Sequence, residues 1–121
     1  MSKLKPSDVL EHAADLIAEW GWHRGASLSP DGAMCHIGAI YAAAGRHVHQ
    51  QGRNGVWTYA LNHGKREVAL SAAAIGYDRR VLAAEGYTES VTYWNDHLCK
   101  SQREAIAKLR KAARLARKEG Q

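Results

Sequence analysis

Cys35, His63, His97, Asn95 and Asp96 are the side chains of this 121-residue chain whose types suit covalent chemistry. Cys35 opens a segment of helical character, and a helix N-terminus favours a thiolate. His63 or His97 can take the thiol proton, and Asn95 can orient the imidazole, in a Cys-His-Asn arrangement. Such a set serves a hydrolase or a transferase. The competing reading makes Cys35 a small apolar residue on a packed helix, because no spacing ties a histidine to it. Trp94-Asn95-Asp96 divides in the same way. It is either an active-site acid and amide, or a buried tryptophan followed by two residues that satisfy backbone groups at a helix end or turn. The structural reading is the simpler one in both cases.

Seven histidines raise the question of a metal. Cys35, His36, His97 and Cys99 would supply four donors for zinc. Adjacent Cys-His and His-x-Cys are not the usual hooks, however, and His47-x-His49 is a weak pair. No phosphate-binding Gly-x-x-x-x-Gly-Lys occurs. The reading is therefore no metal and no cofactor.

The charge pattern points elsewhere. The formal charge is +5. Residues 100–118 hold eight basic side chains and one acid, Glu104, a balance of +7 that leaves −2 for the remainder. At helical spacing Arg103, Arg110, Arg114 and Arg117 form a stripe, flanked by Lys111 and Lys118. Such a stripe can neutralise phosphates in a salt-dependent way. The alternative is a solvated face whose cations complement a helix C-terminus.

The elements that must position these groups are helical. The composition is rich in Ala, with two Pro and no Phe, which favours helices and a core of Ala, Leu, Ile, Val and Trp. Ser7 is expected to cap a first helix with Val9, Ala13, Leu16, Ile17 and Trp20 inward, stopped by Gly21. Trp22 is expected to fold back on its last turn. Ser29-Pro30-Asp31-Gly32 suits a type I turn. From Ala33 to Ala44 there is no Asp, Glu, Lys or Arg, so a central buried helix is expected, ended by Gly45. Residues 46–55 read as a loop, and 56–63 as a short helix with Trp57 and Leu61 inward. Lys65 to Ile75 reads as a helix between Gly64 and Gly76. Short helices follow over 79–85 and from Thr88 or Glu89 through Trp94. Ser101-x-x-Glu104 is a capping box that starts the basic helix. No segment alternates at period two.

Trp22-His23-Arg24-Gly25, Cys35-His36-Ile37-Gly38-Ala39, Trp94-Asn95-Asp96 and Ala112-Ala113 occur in that order. Together they resemble a family of small proteins from actinobacteria and their phages, a domain of unknown function. The resemblance covers most of the chain, though residues 46–90 match nothing in it. It implies an all-helical fold and an actinobacterial or phage source, and it implies no activity.

These readings combine into a single all-α domain, an irregular bundle of five or six helices around Cys35–Ala44. The expected core is Leu16, Ile17, Trp20, Ile37, Ile40, Leu61, Val91, Trp94, Ile106 and Leu109. No apolar run is long enough for a membrane span, and Met1 to Pro6 lacks the apolar stretch of a signal peptide. Cys35 and Cys99 are expected to be free thiols in a reducing cytoplasm. The first expectation for function is a small cytoplasmic interaction or regulatory protein without catalysis, acting on a protein partner, in the form of a phage-encoded chain acting on a host protein. The second is a nucleic-acid binder using the basic helix. The third is a Cys35-dependent hydrolase or transferase.

Overall fold

The computed structural model of the chain describes residues 5–25, 31–48, 64–77 and 87–121. Within them run α1 (Pro6–Trp20), α2 (His36–Val48), α3 (Gly64–Ile75), α4 (Tyr87–Tyr93) and α5 (Gln102–Lys118). A single π-helical turn, Trp94–Leu98, continues α4. Among the described residues there is no strand, and the fold is an all-α bundle. One isolated parallel bridge joins Trp22 to Met34.

α1 begins two residues earlier than its serine suggests. Pro6 occupies the first helical position, where its fixed φ suits the helix and its missing N–H costs nothing. Lys5 is the capping residue and gives no side-chain cap. Ser7 is therefore not the cap. It is buried inside the first turn, and its Oγ donates to the Gln121 carbonyl at 3.1 Å. Val9, Leu10, Ala13, Ala14, Leu16 and Ile17 form the buried stripe. Trp20 is a correction to the expected core, being 50% exposed. The helix stops at Gly21, whose φ of 101° a side chain would resist, and the Trp20 ring lies outside against Gly32. A Cβ on Gly32 would approach Trp20 Cε3 to 3.0 Å. Trp22 is half-buried against the core. His23 N and Met34 N donate to Met34 O and Gly21 O, each at 3.0 Å, and carry the chain across to the start of α2.

α2 starts at His36 and runs through Gly45 to Val48, so Gly45 does not end it. Glycine weakens a helix interior by only about 1 kcal/mol, and packing overrides that. Its residues Ile37, Ala39, Ile40, Ala43 and Ala44 are buried, with Tyr41 and Ala42 half-buried. Gly64 opens α3 instead of interrupting it, and Val68 and Ala72 face the core. Ser29, Pro30, Trp57, Leu61, His63 and the helices expected over 56–63 and 79–85 lie outside the described residues.

α5 is the longest element. Its cap forms as the motif implies: Glu104 N donates to Ser101 Oγ at 3.2 Å. The Glu104 carboxylate turns back to Lys100 N, at 3.4 Å, and not to Ser101 N. Ala105, Leu109, Ala112, Ala113 and Ala116 are buried, and Ile106 is half-buried. The small residues let α1 and α3 pack closely against this face. α2 fills the other side of α1 and also touches α3 and α4.

Leu109 is completely buried on the α5 face of the core. Leu109→Ala is expected to cost about 2–5 kcal/mol in urea unfolding, against less than ~0.5 kcal/mol for Ala107→Gln on the solvent side. Equal effects of the two would show that α5 does not pack through this face.

Candidate functional site

Trp94, Asn95 and Asp96 sit on the π-turn after α4. The wider turn is closed by Cys99 N donating to Trp94 O at 2.7 Å. It rotates Asn95 inward to full burial and leaves Asp96 partly open. Single π-turns inside helices recur at functional positions, which makes the contacts of these three side chains worth following atom by atom.

Asn95 Oδ1 accepts from the Trp22 indole Nε1–H at 2.7 Å and from His36 N–H at 3.1 Å. Asn95 Nδ2 donates to His23 O and to Asp96 Oδ1, both at 3.0 Å. A carboxamide has two acceptor lone pairs and two donors, so this amide is saturated. Asp96 Oδ1 also accepts from Gly25 N at 2.8 Å. Burial pushes the Asp96 carboxyl upward, but the Gly25 N–H, the Asn95 amide and the nearby His97 and His23 outweigh it and hold it below the ordinary carboxylate range. Asp96 is thus an ionised brace and not a proton donor at neutral pH.

The segment after α1 is held at further points. Trp22 N donates to Gln102 Oε1 at 3.1 Å. The Arg24 guanidinium donates to Cys99 O and lies 4.8 Å from the Trp22 ring centroid. Residues 22–25, the start of α2, the π-turn and the start of α5 are therefore tied into one polar seam. Sequence reading found Asn95 and Asp96. It missed Trp22, Arg24 and Gln102, whose partners lie 73–80 positions away. The Trp-x-x-Gly spacing of Trp22 and Gly25 was the available signal, since both residues bond to the Asn95-Asp96 pair.

Cys35 is a correction of place. It is not in the helix but one residue before it. Its carbonyl accepts from Ala39 N at 2.9 Å, and its Sγ accepts from Gly38 N at 3.3 Å. The thiol therefore caps α2 in the way a serine oxygen would. Asn95 takes the His36 N–H at the same terminus. Cys35 is 4% exposed and belongs to the main core cluster. Cys99 is also buried and free, and burial raises its thiol pKa.

Among the described residues His97 does not join Cys35. His97 is exposed and stacks on Tyr93 with ring centroids 4.7 Å apart, and no hydrogen bond joins it to Cys35. His63 lies outside the described residues. Among the described residues no three His, Cys, Asp or Glu side chains gather as metal ligands, so Cys35, His36, His97 and Cys99 do not converge. A cleft of about 550 Å³ lies elsewhere, bordered by Lys5, Ser7, Asp8, Arg66 and Arg117.

The basic stripe is split in two. Arg110 donates to Glu11 at 3.0 Å and to Asp15 at 2.8 Å, and Arg117 donates to Glu11 at 3.2 Å. These two guanidinium groups hold α5 against α1. Arg103, Lys111, Arg114 and Lys118 are exposed on the outer side.

The sequence of DUF6197, a family of unknown function, matches residues 1–115. The chain belongs to that family. The DUF6197 match takes in the whole polar seam, from Trp22 to Gln102, and stops short of Arg117 and Lys118. No curated protein and no solved structure matches the chain.

His36 is the least expected member of the site. It is fully buried with its ring edge-on to Trp94, centroids 5.3 Å apart. Neither ring nitrogen has a hydrogen-bond partner. Burial lowers its pKa from 6.5 to about 3. Below pH 6.5 the unfolded chain takes up a proton that the folded chain refuses, so stability falls as the pH drops from about 6.5 toward 3. The slope should approach 1.4 kcal/mol per pH unit at most, and His36→Leu should flatten it between about pH 6 and 4.5 in urea titrations. An unchanged slope would assign the acid sensitivity to other groups.

Asn95→Ala would leave the Trp22 indole N–H, the His36 N–H and the His23 carbonyl without their partner. The His36 N–H is buried and the other two groups are part-buried, so at up to roughly 1–3 kcal/mol for each the loss should total about 3–5 kcal/mol. A loss below about 1 kcal/mol would mean that the seam does not hold these segments.

Proposed function

We propose that this DUF6197 member is a small interaction or regulatory protein that works by binding and not by turnover. A cytoplasmic setting and an actinobacterial or phage origin fit the motifs it carries, and a host protein is then a natural partner. The observation that carries the reading is the use made of the chemically capable side chains. Cys35 is sealed in the core as a helix cap, the Asn95 amide is saturated, and Asp96 is pinned by Gly25 and Asn95. Groups so committed serve the fold. Trp20 and Tyr93 are 50% and 56% exposed, and Trp and Tyr side chains are enriched where proteins meet. Among the described residues no helix is long and apolar enough to cross a membrane.

A nucleic-acid partner is the second reading, favoured by the four outward cations of α5. The cysteine hydrolase or transferase is third, because the Cys35 thiol is occupied and shielded.

Iodoacetamide labelling of the native full-length chain tests the first reading against the third. Both thiols should react on the order of 100-fold or more slowly than in urea, as the core must open first. A Cys35 that labels at the rate of a free thiolate would overturn the binding reading and favour the enzyme.

A further inference from the structure

The eight cations of residues 100–118 are not equivalent. Arg110 and Arg117 are spent on Glu11 and Asp15, on the side of α5 that faces α1. Arg103, Lys111, Arg114 and Lys118 are exposed, and none of the four has an ion-pair partner among the described residues. At 100° per residue these four fall within an arc of about 80°. Over that arc the helix rises about 22 Å from Arg103 to Lys118. Ala107 is also exposed and lies in the middle of the arc. Its methyl group leaves a shallow place where a linear ligand can approach the helix axis between flanking cations. Glu104, the one acid within residues 100–118, is turned back to Lys100 N at the cap.

From this arrangement we infer that the outward stripe of α5 is a docking surface for the phosphate backbone of a nucleic acid. The inference rests on the reading of the protein as a binding module. Charge complementarity favours a nucleic acid over an acidic polypeptide. A duplex carries a negative charge for every ~1.7 Å of its axis, both strands counted, so a ~22 Å row of cations meets a dense phosphate array without needing a matched partner for each. A protein surface would have to place carboxylates opposite each of the four. The stripe carries no aromatic side chain to stack on a base and no Asn or Gln to pair with adenine, and the contacts inferred for its Arg and Lys are to the backbone, which positions without reading sequence.

The test is fluorescence anisotropy with a labelled mixed-sequence duplex and the full-length chain, across a salt series. Four phosphate contacts give a log–log salt slope of about −3.5 and a loss of about 100-fold in affinity between ~50 and ~200 mM salt. Arg114→Glu/Lys118→Glu should abolish binding while circular dichroism and urea unfolding stay unchanged, as both residues are exposed. Arg110→Gln should leave the slope as it is, because that guanidinium is held by Asp15 and Glu11. A second duplex of different sequence should bind equally. The inference is overturned by no binding at low salt, by an unchanged slope in the double variant, or by polyglutamate competing as well as the duplex at equal charge. Those failures with unreactive native thiols remove this partner alone, whereas fast Cys35 labelling removes the binding reading on which it rests.

Discussion

The Asn95 carboxamide is the contact on which the arrangement of segments depends. It has no exposure to solvent, so every hydrogen-bonding position it leaves empty would carry a desolvation penalty. It leaves none empty. Through it the loop after α1, the first turn of α2 and the π-turn after α4 are fixed to one another. The rotation of the π-turn is what makes this possible. Within residues 94–98 it turns Asn95 inward and leaves Leu98 half-exposed. A polar group so placed specifies one arrangement of neighbours more sharply than an apolar one, because only one geometry satisfies all its partners.

The N-terminus of α2 shows how little slack the design leaves. Residues 32–35, just before His36, include no Ser, Thr, Asp or Asn. The orphan N–H groups are taken instead by a thiol and by an amide from the far end of the chain. The result is a helix that starts inside the core, with a neutral histidine at its first position. The His36 ring is held there by packing against Trp94, and neither ring nitrogen finds a hydrogen-bond partner among the described residues. Such a group weakens the fold in acid, and its presence implies that packing around it outweighs the loss.

Charge on α5 serves two ends. On one side, arginines bridge to Glu11 and Asp15 and set the register of the two helices, at the modest energy of partly exposed ion pairs. On the other, arginines and lysines face water without partners. A count of basic residues does not separate the two groups, since Arg110 and Arg114 are one helical turn apart and chemically identical.

Local physics made much of this legible in the sequence. The stripe of Val9, Ala13, Leu16 and Ile17, the Ser101 cap, the charge-free stretch from Ala33 and the stop at Gly76 are all written at spacings of a few residues. Local propensity and hydrophobic period suffice to read them. Where reading by spacing failed, tertiary contacts had overruled local preference. Trp20 has the right helical phase for the core, yet the chain turns at Gly21 before a neighbour can cover it. Gly45 is a common helix terminator, yet α2 continues because the bundle packs around it. Ser7 looks like a cap, yet Pro6 starts the helix first. The meaning of Asn95 was open in the sequence because its partners are set by closure of the chain over 59 to 73 residues, which no local pattern encodes; Cys35 bonds locally to Gly38, and its burial is set by the packed core. The all-helical fold and the basic helix were determined by the sequence alone. Which amide braces the seam, which thiol is sealed, and which cations remain free were decided only when the helices packed.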